Sequence, residues 1–187
     1  AFHFNSFNIN NSLLRQDTEL HFNKPFGRAT VHGLGLVGED HRYFHHVNVN
    51  HHVGDGFCDQ VFKHVLTDRA LSEFSGLVFV KEGAHETISN QLNNNLILSD
   101  QARALSRPQL VIDADDVECS HGCIIGQLHP EEIHYIQTRG LTLEEAKGIL
   151  TFGFAEDMVD KVKAKSVRDE LTAIVSQEVS RYTHINV

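Results

Sequence analysis

Asn90-Gln91-Leu92-Asn93-Asn94-Asn95-Leu96-Ile97-Leu98 is the stretch that separates the architectures open to this chain. It is rich in side-chain amides. Each amide is both donor and acceptor, so in a stack of strands it can pair with the layer above and the layer below. That property suits a rung of a β-solenoid; the competing reading is a polar edge strand of an ordinary sheet.

Outward from it, residues 1 to about 127 read as one short strand after another. They begin at Phe2, Phe4, Phe7 and Ile9 and continue through Thr18–Phe22, Ala29–Val37, Arg42–Val53, Gln60–Leu66 and Phe74–Val80. Thr87–Leu98, Gln109–Ala114 and Val117–Gln127 follow, and Asn, Asp, Gly and Pro clusters punctuate the series. Alternation puts Tyr43, His45, Val47, Val49, His51 and Val53 on one face of their strand. Even spacing of short strands fits a sandwich, a barrel or a stacked solenoid, and the amide-rich stretch favours the solenoid. No exact internal repeat accompanies it. A solenoid needs its ends covered, which a helical C-terminus would do for one of them.

The pattern changes after Gln127. Pro130 with Glu131 and Glu132 opens a helix that Gly140 ends. Thr142-Leu143-Glu144-Glu145 is a capping box for a second helix, carrying Leu143, Ala146, Ile149, Leu150, Phe154, Met158 and Val162. Ser166 is expected to cap a third, with Val167, Leu171, Ile174, Val175 and Val179 as its apolar stripe. The expected domains are a β core over 1–127, truncated at its N-terminus, and a small helical domain over 128–187.

Net charge is -9 with histidines neutral, which argues against a nucleic-acid surface. No run of apolar residues is long enough to span a bilayer. Three cysteines do not make a disulfide framework, so a reducing compartment is expected. Without an initiator methionine the chain reads as a piece of a longer protein.

Chemistry concentrates in Asp115-Asp116-Val117-Glu118-Cys119-Ser120-His121-Gly122-Cys123. On a strand Cys119, His121 and Cys123 share one face, and thiolate and imidazole are ligands for zinc, copper(I) and iron–sulfur clusters. Neighbours on that face sit about 6.6 Å apart and the outer pair about 13 Å, so one straight strand cannot close a site around one ion. Any site here needs ligands from elsewhere, or the three are packing. His45, His51 and His52 raise a second reading, a metal-dependent cupin-like β-barrel enzyme. Its pattern wants a glutamate soon after the first histidines, and none lies between His46 and Glu73. Cys58 reads as buried packing, and Asp115 and Asp116 as a solvated turn. No phosphate loop, dinucleotide fingerprint or nucleophile elbow occurs, so no self-sufficient enzyme is expected.

With these stretches laid out, the chain resembles the C-terminal half of SufD-type members of the SufB/SufD family, scaffolds of SUF iron–sulfur cluster assembly. The resemblance is carried by His45-His46 to His51-His52, Asp59-Gln60-Val61-Phe62-Lys63 and Asn93–Asp100. It continues through Arg107–Val117, Cys119-Ser120-His121-Gly122, Ile125–Leu128, Thr138–Leu141 and Gly153-Phe154-Ala155. It implies a right-handed parallel β-helix flanked by helical domains and a scaffold in place of an enzyme. It also implies pairing with SufB through the β-helix and docking of the SufC ATPase on the helical domain, around Ala146, Ile149, Leu150, Phe152 and Phe154. The isolated piece would be able to homodimerise. A transient cluster or iron would sit at the SufB junction, with His121 as leading ligand and Cys119 and Cys123 as helpers; no cofactor is expected to stay on the isolated chain. The bacterial cytosol is the implied compartment, a plastid the alternative, with neither membrane nor nucleic acid as partner. Cys123 departs from the family, where alanine is frequent, and His134 replaces an aromatic.

Overall fold

The computed structural model describes residues 1–183. The described residues form β1 (Phe2–Ile9), β2 (Leu13–Phe22), β3 (Arg28–Val37), β4 (Arg42–His51), β5 (Phe57–Leu66), β6 (Leu71–Val80), β7 (Ile88–Ile97), β8 (Arg103–Ile112) and β9 (Glu118–Gly126). Helices α1 (Pro130–Gln137), α2 (Leu143–Val159) and α3 (Lys165–Thr183) follow. Odd strands make one sheet in the order β1-β3-β5-β7-β9, even strands a second in the order β2-β4-β6-β8. Every pairing is parallel and skips one strand. The chain therefore winds as a parallel β-solenoid, as the amide-rich stretch suggested. That overturns the cupin-like alternative, whose antiparallel barrel has no counterpart here.

The repeat is real but its length drifts. Phe2 lies beside Ala29, Ala29 beside Cys58, Cys58 beside Ser89 and Ser89 beside Cys119, steps of 27, 29, 31 and 30 residues. A drifting period hides from a search for exact repeats. The corners repeat too. Asn10, Glu39 and Asp68 at one corner and Phe26, Asp55, Glu86 and Asp116 at another all adopt positive φ without being glycine. This conformation costs L-residues on the order of 1 kcal/mol each. Stacking offsets the cost: Asn10 N–H donates to the Leu36 carbonyl (2.8 Å), Asp55 N–H to His85 (3.0 Å) and Glu86 N–H to Asp116 (2.8 Å).

Inside the coil, alternation sends every second side chain to the axis. Phe62, Phe74, Val47 and Val49 form an apolar core, with Cys58 among them as expected. Polar residues share the axis. The Tyr43 hydroxyl donates to Gln16 Oε1 (3.0 Å), so it accepts from His45 Nδ1–H (3.0 Å). His64 Nδ1 bonds the Ser72 hydroxyl (2.6 Å), and His51 Nε2 the Ser89 hydroxyl (3.3 Å). Desolvation holds all three histidines well below their ordinary pKa, His51 at about 4 and His64 at about 3. They are neutral core residues.

Helices α2 and α3 cover the outer face of the odd sheet, where Leu34, Leu36, Val65 and Leu96 meet Ala155, Met158, Val175 and Val179. Lys63 ties the layers together. Its Nζ reaches Asp157 (2.8 Å) and the Phe154 carbonyl (3.1 Å), and lies 4.6 Å over the Phe154 ring. The Thr142–Glu145 capping box forms as read. Ser166 does not cap α3, which already starts at Lys165, and Val167 and Ile174 from its expected stripe are exposed. Strand β8 runs through Pro108, where a start at Gln109 was expected; proline is tolerated because β8 is the last strand of its sheet.

Candidate functional site

The last rung decides what the coil offers to the outside. Register places Cys119 beside Ser89, His121 beside Gln91 and Cys123 beside Asn93. Those β7 residues are all buried and face the axis. Cys119, His121 and Cys123 therefore do share one face, and it is the face that would be interior if another rung followed on β9. No strand of the described residues does, because β9 is the last of its sheet. His121 and Cys123 are consequently exposed and Cys119 is half-buried.

One column shows what coverage does to a thiol. Cys58 and Cys119 occupy the same inward position two rungs apart. Full burial, with Asp59 adjacent, pushes the Cys58 thiol up to about 12. Partial burial raises Cys119 too, against a lowering hydrogen bond with the Ser89 backbone. Cys119 packs on the apolar core, and its partial burial leaves it less available as a thiolate. Among the described residues no three His, Cys, Asp or Glu side chains converge on a metal position. The donor set suits iron or an iron–sulfur cluster in kind, but falls short of it in number.

Side-chain amides brace this end of the coil. Gln91 Nε2 donates to Gln60 Oε1 (3.0 Å) and Asn95 Nδ2 to Asn93 Oδ1 (2.7 Å). Asn95 Nδ2 also donates to the Ile124 carbonyl (3.3 Å), and Ser120 Oγ–H to Asn90 Oδ1 (2.7 Å). The amides thus link rungs as their donor–acceptor character suggested. The pairing of Asn90 with Ser120 was not foreseen; with the drifting period unknown, nothing in the sequence aligns those two residues. His45 and His51 lie fully buried on the axis, and His52 on the outside shares a hydrogen bond with His21 (3.0 Å). The histidine-rich strand thus splits between two faces and assembles no site.

On the helical side the expected docking residues separate. Ala146 is fully buried between helices, and Phe154 is engaged by Lys63. Leu150 lies half-buried beside Leu128, Ile124 and Asn95. Ile149, 51 % exposed, and Phe152 line a shallow apolar groove between α2 and α3, floored by Gly148, Gly153 and Val179. Of these five Ile149 alone is exposed; Phe152 is half-buried beside it in the groove, and Leu150 also lines a shallow hollow with Tyr135 and Ile136.

Residues 1–154 match the family described as SUF system FeS cluster assembly, SufBD core domain. The chain is 27% identical over 176 residues to the iron–sulfur cluster assembly protein SufD of Escherichia coli, covering 93% of this chain and 41% of that protein. It is 39% identical over 121 residues to a SufBD family protein of Synechocystis sp. (65% and 27% covered), and 31% identical over 129 residues to SufD of Bacillus subtilis (68% and 30%). The chain spans less than half the length of each of these relatives.

Proposed function

The chain belongs to the SufB/SufD family of the SUF iron–sulfur cluster assembly system, and we propose that it serves there as a non-catalytic scaffold. The cluster, or the iron that starts it, is cargo. The observation that carries the reading is the uncovered last rung, which presents His121 and Cys123 on an open edge with too few ligands to close a site. An incomplete set at an unpaired edge is what a site shared between two chains requires.

The partner proposed for that edge is SufB. Main-chain pairing along β9 would supply the missing rung and bring further ligands to His121. Strand β8 is less suited, since Pro108 removes a backbone donor in mid-strand. The SufC ATPase is proposed to dock at Ile149 and Phe152, and ATP chemistry is assigned to SufC. Apolar side chains in a shallow groove between two helices suit a partner helix. The bacterial cytosol is the proposed compartment; among the described residues no helix is long and apolar enough to cross a membrane.

Co-purification with SufB and SufC followed by anaerobic cluster reconstitution tests the proposal. His121→Ala should leave complex formation and melting temperature unchanged while lowering cluster yield. Unchanged yield removes His121 from the site, and failure to co-purify removes the scaffold role.

A further inference from the structure

The serine before His121 has no assigned part in this family-derived reading, yet the structure gives it a specific partner. Strand β9 ends its sheet and is paired with β7 alone, so its other edge carries no strand of the described residues to hold it. Two side-chain hydrogen bonds from β7 cross to it. Ser120 Oγ–H donates to Asn90 Oδ1 at 2.7 Å on the outer face, and Asn95 Nδ2 donates to the Ile124 carbonyl at 3.3 Å from the inner face. Ser120 and Ile124 bracket the three residues His121, Gly122 and Cys123. The bonds therefore pin that segment at both ends and from opposite faces.

Neither clamp is incidental to packing. Asn95 is itself oriented by its second bond, to Asn93 Oδ1 at 2.7 Å, which fixes which end of its amide meets Ile124. Asn90 and Ser120 are the paired residues of their register, so the hydroxyl meets the amide with no intervening residue. Gly122 keeps the middle of the segment against β7, since a Cβ there would lie 3.0 Å from Leu92 Cδ1.

We propose that Asn90, through Ser120, and Asn95, through the Ile124 carbonyl, are positioning residues that hold His121 and Cys123 in the geometry a partner chain completes. This rests on the scaffold reading above. A shared site tolerates little error in ligand placement; groups bonded directly to a metal ligand typically govern affinity by about 10–100-fold, and clamps that act through the neighbouring residues are placed at the lower end of that range.

The test is reconstitution of the chain with SufB and SufC, reading iron(II) affinity and cluster yield for His121→Ala, Asn90→Ala, Asn90→Asp and Asn95→Ala. Asn90 is on the outer surface, so Asn90→Ala should fold and melt as the parent does. The expected result is about tenfold weaker iron(II) binding for Asn90→Ala, with recovery in Asn90→Asp, which keeps an acceptor for the Ser120 hydroxyl. Recovery by the acceptor separates positioning from general loosening. If His121→Ala lowers yield while Asn90→Ala and a folded Asn95→Ala do not, the clamps are overturned and the scaffold reading stands. If His121→Ala has no effect, His121 leaves the site and the clamps are overturned with it; the scaffold reading itself falls only if the chain fails to co-purify with SufB and SufC. Should Asn95→Ala fail to fold, the Asn90 pair decides the matter alone.

Discussion

The interior rungs and the last rung are built from the same strand geometry and the same inward positions, yet they present opposite chemistry. At Cys58 the coil continues on both sides, the thiol is sealed, and burial drives its pKa to about 12. At Cys119, His121 and Cys123 the coil stops, and donors addressed to the axis face outward instead. On the proposed reading, function in this fold comes from where the stack ends. A residue type alone does not mark a site: the buried histidines of β4 and β5 are core, and the single histidine of β9 is the candidate ligand.

Thiol reactivity separates the two kinds of rung most strongly. Cys123 should react with a soluble disulfide reagent at the rate of a free thiol and Cys119 more slowly. Cys58 should react only through unfolding, about a thousandfold slower or more. Mass spectrometry of timed aliquots reads all three, and equal labelling of Cys58 and Cys123 would erase the distinction.

Core truncation should show the same asymmetry in stability. Phe62→Ala, inside a middle rung, is expected to cost about 3–5 kcal/mol. Ile125→Ala, half exposed on β9, should cost under about 1 kcal/mol. Urea midpoints measure both.

Acid attacks the interior selectively. His45, His51 and His64 are held neutral in the fold, whereas in the unfolded chain they bind protons below about pH 6.5. Their folded pKa values are depressed, so the unfolded state takes up more protons as pH falls. Stability is complete above about pH 6.5 and declines toward pH 4 and 3. His51 alone would account for about 3 kcal/mol between pH 6.5 and 4. His51→Phe, which can keep the stack on Phe22, should flatten that slope in urea titrations run across pH. A slope unchanged by the substitution would exclude His51 as a source.

A smaller effect sharpens the boundary between coil and helices. Lys63→Met removes the bonds to Asp157 and the Phe154 carbonyl but keeps the aliphatic stem. The expected loss is about 1–2 kcal/mol, with faster hydrogen exchange in α2 than in β7.

Much of the architecture was legible from local chemistry. Strand alternation placed Tyr43, His45, Val47, Val49 and His51 on their shared face, and the amides of Asn90–Asn95 announced rung-to-rung bonding. The capping box at Thr142 located α2. Other parts were not legible, for reasons that are physical. Pro108 breaks a strand pattern in sequence, but the last strand of a sheet tolerates it. Positive-φ corners filled by Asn, Asp, Glu and Phe carry no glycine signature. The Ser120–Asn90 contact depends on a rung length that varies from 27 to 31 residues along that sheet. The shared face of Cys119, His121 and Cys123 was readable; that the face lies uncovered required the sheet order.

The last rung, as proposed, is an incomplete site. Its most direct test is the iron and acid-labile sulfide content of the purified chain after anaerobic reconstitution, alone and together with SufB and SufC. Well under one cluster per chain is expected in isolation, and stoichiometric cluster, dependent on His121, in the complex. A stoichiometric, tightly held cluster or metal on the chain alone would contradict it.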